Sequence, residues 1–149
     1  MESSSPKQYL LLDGKPVLVH TLLHLQHSSL IDEYLVVAPE KDLSVIRDKM
    51  GKPYGLSKLR DVIAGGRERQ DSVRNGLAEV GEEWDVVVIH DGVRPFVTEE
   101  MLTAVITAAL RDGAAIAGVP AKDTVKEVSP AGTISATLDR DRIWLAQTP

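Results

Sequence analysis

Apolar residues recur at helical spacing over 17–25, where Leu18, Leu22 and Leu25 share a face, and the five apolar residues 34–38 that follow are closed by Pro39. This predicts a helix feeding a strand. The alternation then repeats, with a helix expected over 42–50, a short strand over 61–64, a helix over 70–80 and an almost uninterrupted apolar strand over 85–89. A strand apolar on both faces belongs to a parallel sheet covered on both sides. Thr98 is placed to cap a further helix with Glu99 and Glu100 in its first turn, Gly113 to end it, and residues 114–119 to form another strand.

After Pro120 the pattern changes. Residues 124–128 and 133–138 alternate apolar and polar around the turn Ser129-Pro130-Ala131-Gly132, which predicts a β-hairpin. The chain as a whole predicts a single α/β domain, with a doubly wound, mostly parallel, Rossmann-like sheet and a hairpin arm at 120–140 outside it.

Composition narrows the function classes. At 149 residues and 43% hydrophobic content the chain is long enough for one real core. Seventeen Lys and Arg against 22 Asp and Glu give a net charge of -5, which argues against broad binding to nucleic acid or anionic membrane. Phosphate chemistry therefore has to rest on a local basic cluster. The absence of cysteine excludes disulfides, thiolate metal sites and a cysteine nucleophile. With no signal-peptide pattern in residues 1–10 and no apolar run of spanning length, the cytoplasm is the expected compartment.

In doubly wound sheets ligands bind outside the carboxyl ends of the strands, so polar residues directly after apolar strands carry the candidate chemistry. After 86–89 come His90, Asp91, Gly92, Val93, Arg94 and Pro95. A carboxylate there can hold a divalent cation between phosphates, and Arg94 can take an anion through its planar fork. An isolated Asp-Gly pair serves equally well as a turn cap with Arg94 paired to it. After 62–64 come Gly65, Gly66, Arg67, Glu68, Arg69, Gln70, Asp71 and Ser72, where two glycines allow close backbone approach and a helix start points its amides at the same space. A plain strand-to-helix turn needs glycine too, and Arg67 and Arg69 also fit as solvated charges. At the hairpin stand Lys122, Asp123, Thr124 and Lys126, with Asp139, Arg140, Asp141 and Arg142 on the other side, a distribution that by itself only keeps an edge strand soluble. His20 and His24 share a helix face near His27, but no acidic third ligand accompanies them, so a partly exposed helix face is expected there.

Taken together and in order, these segments resemble the 2-C-methyl-D-erythritol 4-phosphate cytidylyltransferase family. The matching segments are Pro6-Lys7-Gln8-Tyr9-Leu10, the run from Ala64 through Gly65, Gly66, Arg67 and Ser72 to Val73, His90-Asp91-Gly92-Val93-Arg94-Pro95-Phe96, Lys122-Asp123-Thr124-Val125-Lys126 and Gln147-Thr148-Pro149. The resemblance implies transfer of a cytidylyl group from CTP to the sugar-alcohol phosphate, with magnesium as cofactor. It implies catalytic roles for Lys7, Asp91 and Arg140, with Lys7 neutralising triphosphate charge and Asp91 as magnesium ligand. Gly66, Arg67 and Ser72 fall where members hold cytosine and ribose, although Arg67 stands where some members carry an acidic or small residue. Arg94, Thr124 and Arg140 match positions that grip the acceptor phosphate, and Thr148 is carried over with them as substrate-binding. In the family the arm crosses to a second subunit, so a homodimer through 120–140 is implied, with Arg140 serving the neighbour's site.

The chain departs from the family pattern at both ends. Members begin with an apolar strand and a glycine-rich loop before the Lys7 segment and continue past the Gln-Thr-Pro segment with a further phosphate-binding lysine. An incomplete domain, with a misplaced start codon or a partial sequence behind it, is the expectation. The competing readings are a ribitol 5-phosphate cytidylyltransferase, an inactive fragment that only binds nucleotide or dimerises, and an unrelated nucleotide-binding α/β module.

Overall fold

The computed structural model describes residues 6–147. A single 3-10 turn, Lys7–Tyr9, leads into a short antiparallel hairpin of β1 (Leu11–Leu12) and β2 (Lys15–Pro16). Asp13 and Gly14 both take positive φ, the turn an Asp-Gly pair forms between two strands. The helix α1 (Val17–His27) follows, and its apolar stripe Leu18, Val19, Leu22 and Leu25 is buried as its spacing predicts. His20 Nε2 lies 2.6 Å from the Leu12 carbonyl and ties the hairpin to α1.

β3 (Tyr34–Ala38) pairs in parallel with β4 (Leu59–Ala64), and this parallel unit carries the α/β character of the fold. Tyr34, Val36 and Ala38 alternate inward on β3, while Val62 of β4 is fully enclosed. The connection is α2 (Leu43–Ile46) continued by a π-helical turn, Arg47–Gly51, where a single helix over 42–50 was expected. Ile46 and Met50 bury against the sheet across that irregularity. The helix α3 (Arg69–Ala78) closes over β3 and β4, with Gly76 allowing Val37 to approach to within contact distance.

The expected strand over 85–89 is a correction: the segment is present but joins no ladder. The physical reason is a gap. A cavity of about 860 Å³ separates it from β3, lined on its apolar walls by Leu22, Leu25, Val36, Val73, Val88 and Ile106. An extended backbone becomes a strand only where a partner's amides and carbonyls come within hydrogen-bonding distance, and across this gap they do not.

The helix α4 (Glu99–Asp112) begins where predicted: Thr98 Oγ1 accepts from the Met101 amide at 3.3 Å, and Gly113 ends the helix at φ 87°. β5 (Ala117–Pro120) is shorter than the 114–119 strand expected, and it pairs antiparallel with β8 (Trp144–Gln147) instead of extending a parallel sheet. The hairpin arm forms as predicted, from β6 (Lys126–Val128) and β7 (Ile134–Thr137), with Gly132 at φ 78° in its turn. Among the described residues the strands make four two-stranded ladders, so the sheet is not continuous. No described helix is long and apolar enough to cross a membrane.

Candidate functional site

The loop after residue 89 is held from below by α1. Thr21, 1% exposed, donates its hydroxyl hydrogen to the Gly92 carbonyl at 2.9 Å. A Cβ on Gly92 would stand 2.9 Å from Leu18 Cδ1, so glycine lets this loop settle directly on the helix. The Arg94 amide then donates to the Asp91 carbonyl at 3.0 Å and closes the turn. Asp91 is thereby presented on the rim of the cavity, with about a third of its side chain open to solvent.

Two guanidinium groups converge on this carboxylate. Arg69 Nη2 donates to Oδ1 at 3.0 Å, and Arg94 Nε stands 3.6 Å from Oδ2. Arg94 also donates from Nη1 to Gln147 Oε1 at 3.0 Å, which brings the end of β8 to the same place. The pairing of Arg94 with Asp91 expected of a simple turn is thus present, but it is one arm of a wider network. One carboxylate flanked by two cations suits an anionic ligand that brings its own counterion.

Beside it lies the Gly65-Gly66 turn. The Gly66 amide donates to Ser72 Oγ at 3.1 Å, and the Glu68 amide donates to Asp71 Oδ2 at 3.2 Å, which satisfies the start of α3. A Cβ on Gly66 would fall 2.2 Å from Asp71 Cβ, and one on Gly65 would fall 2.8 Å from Ser72 Oγ. The turn is glycine because there is no space, and neither residue needs a positive φ.

The other expected residues are placed less tightly. Lys7 is exposed in the first 3-10 turn, whose Tyr9 packs on the core and whose Gln8 lines the cavity. Arg67 is exposed on the loop before α3. Thr124 is exposed at the base of the arm, and Arg140 Nη1 donates to the Lys122 carbonyl at 3.2 Å. Arg140 opens the turn before β8, whereas Gln147, the partner of Arg94, is the last residue of that strand. The two positions are seven residues apart, with the rest of the 3-10 turn, Ile143 and the first three residues of β8 between them. Thr148 lies outside the described residues.

A magnesium ion commonly binds through one or two carboxylates, with the remaining ligands from water and substrate phosphates. The described residues contain no group of three or more His, Cys, Asp or Glu placed to hold a metal by themselves. Asp91 fits magnesium on those terms, as a single hard oxygen ligand at a partly open rim with cations beside it for phosphate.

Reading the residues in order missed Arg69 as a partner of Asp91 and Gln147 as a partner of Arg94, pairs separated by 22 and 53 positions. No local spacing signals either. Thr21 was visible only as a polar residue within an apolar helix face.

The sequence pattern of the 2-C-methyl-D-erythritol 4-phosphate cytidylyltransferase (IspD) family matches residues 1–149. A protein of that name from Syntrophus aciditrophicus is 66% identical over 149 residues, covering 100% of this chain and 64% of its own. One from Geobacter metallireducens is 50% identical, with 65% of its length covered. The crystal structure of 4-diphosphocytidyl-2C-methyl-D-erythritol synthase from Anaerococcus prevotii superposes with a TM-score of 0.86 at 31% identity, covering 97% of this chain and 62% of that one. The cytidylyltransferase from Thermus thermophilus gives a TM-score of 0.70 at 30% identity, covering 97% of this chain and 63% of that one. The chain therefore spans a little under two thirds of the length of these relatives.

Proposed function

This chain belongs to the 2-C-methyl-D-erythritol 4-phosphate cytidylyltransferase family, and on that premise we propose that it serves cytidylyl transfer from CTP to 2-C-methyl-D-erythritol 4-phosphate, with release of pyrophosphate. The observation that carries the proposal is the Asp91 carboxylate held between Arg69 and Arg94 beside the closed Gly65-Gly66 turn.

In this reaction an oxygen of the acceptor phosphate attacks the α-phosphorus in line. A new P–O bond forms as the bond to the β-phosphate breaks, and its electron pair leaves with pyrophosphate. No general base is required, because a phosphate monoester with a second pKa of about 6 is already largely dianionic at neutral pH. The work is to align two anions and absorb developing charge. Asp91 would hold magnesium, which supplies charge neutralisation on the phosphates when bound. Lys7 adds positive charge to the triphosphate, and Gly66, Arg67 and Ser72 form the nucleotide side. Arg94, Thr124 and Arg140 take the acceptor, with Thr148 at the end of the same segment as Gln147.

The arm is assigned to a homodimer interface over 120–140. Its apolar residues Val128 and Ile134 are largely exposed, as is Trp144 of β8, and apolar surface of this kind marks contact regions. On that assignment Arg140 and Thr124 serve the site of the second subunit. A cytoplasmic location accords with the lack of cysteine.

The test is a pyrophosphate-release assay with CTP and magnesium, run on this chain and on a version extended to the length of its relatives, with either methylerythritol phosphate or ribitol 5-phosphate. Release with methylerythritol phosphate is expected. Preference for ribitol phosphate would reassign the acceptor, and CTP binding without release in both proteins would leave only a nucleotide-binding module.

A further inference from the structure

We propose that Arg69 is a positioning residue that pairs with Asp91 when no ligand is bound, and that it transfers to the nucleotide's phosphates when Asp91 binds a divalent cation. The inference rests on the reading of Asp91 as the metal-binding carboxylate.

Two guanidinium groups share that carboxylate, and they are not equivalent. Arg94 approaches Oδ2 at 3.6 Å and has a second anchor on Gln147 at 3.0 Å. Arg69 makes the shorter contact, 3.0 Å to Oδ1, yet its side chain is 67% exposed against 44% for Arg94. An ion pair this open to water is weak and readily exchanged. Its base is nevertheless fixed. Arg69 is the first residue of α3, directly after a loop whose glycines admit no Cβ, so its guanidinium swings from a rigid pivot.

The local charge makes movement necessary. Within this cluster one carboxylate faces two guanidinium groups, so the immediate surroundings of Asp91 favour a phosphate over a free dication. A cation that takes Asp91 must displace a guanidinium group, and Arg69, without the Gln147 anchor, is the one to leave. Once released it stays tethered to the first turn of α3, the helix that also carries Ser72.

The test uses the 149-residue chain and Mn²⁺ as a paramagnetic stand-in, with binding followed by water-proton relaxation and CTP binding without metal followed by calorimetry. Arg69→Met is expected to bind Mn²⁺ alone roughly two- to fivefold more tightly and metal-free CTP more weakly by a similar factor, the range an exposed ion pair supplies. Opposite signs separate the proposal from simple damage to the fold, which would weaken both. Arg69→Lys, which keeps a charge, should fall between the two. Asp91→Asn is measured alongside. If it loses Mn²⁺ while Arg69→Met is unchanged, the exchange is refuted and Asp91 remains the ligand. If Asp91→Asn binds Mn²⁺ like the parent chain, or none of the proteins binds it, the metal reading and this proposal fall together.

Discussion

The buried hydroxyl of Thr21 donates to the Gly92 carbonyl at 2.9 Å, so the carboxylate of Asp91 next door is positioned by a helix 71 residues earlier in the chain. Thr21→Val keeps the shape and removes the donor. Leaving a carbonyl unsatisfied in a largely buried contact costs about 1–3 kcal/mol. Urea unfolding should show that loss. Metal-dependent CTP binding should weaken as well, because the Asp91 loop is no longer pinned.

Gly66→Ala places a Cβ where Asp71 Cβ already stands, at 2.2 Å. The loop must shift, at a cost of about 1–3 kcal/mol. The shift also moves the Gly66 amide away from Ser72 Oγ. A reduced melting temperature together with lost CTP affinity is expected, and an unchanged melting curve would show that the turn has room the structure does not give it.

Lys7→Ala is expected to lower turnover by roughly 10²- to 10³-fold, measured by pyrophosphate release in a version extended to the length of the relatives. The residue is exposed and its side chain supports no buried contact, so stability should be unchanged. Near-normal turnover would remove Lys7 from the chemistry.

Burial pushes the Tyr34 phenol up to about 12, from an ordinary value of 10. Its hydroxyl is enclosed and has no hydrogen-bond partner among the described residues. Because the folded state holds the proton more tightly, the stability linked to it is fully present below pH 10. It is lost as pH rises from there through about 12. Burial raises the Tyr9 phenol to about 12 as well, so ultraviolet titration of tyrosinate should show a late step from both groups coinciding with alkaline unfolding, and Tyr34→Phe should reduce its amplitude without removing it.

Acid stability has a different source. Hydrogen bonds from Ser28 and Ser29 hold the Glu99 carboxyl below its usual range, and this ties the start of α4 to the end of α1. A lowered folded value contributes stability above the ordinary glutamate range that disappears as pH falls through the folded value. Glu99→Gln should therefore flatten the acid limb of the pH–stability curve, measured by chemical denaturation.

Local chemistry was legible in the residue order. The apolar stripe of α1, the alternation of β3, the Thr98 cap, the Gly113 stop and the Gly132 turn each depend on neighbours within a few positions, and each appears where the pattern puts it. The glycine turn before α3 and the polar loop after residue 89 were legible for the same reason. The segment 85–89 was not, because its hydrophobicity states that it is covered and says nothing about what pairs with it. β5 likewise has the composition of a parallel strand and found an antiparallel partner in β8.

By itself the sequence determined the α/β class, the family and the residue types at the site, since these follow from periodicity, turn chemistry and motif order. Only the tertiary structure decided that Asp91 faces Arg69 as well as Arg94, that Arg94 reaches Gln147, and that Thr21 sets the loop beneath them. These are contacts between distant positions, fixed by how α1, α3 and β8 come together around the loop, and no periodicity along the chain records them.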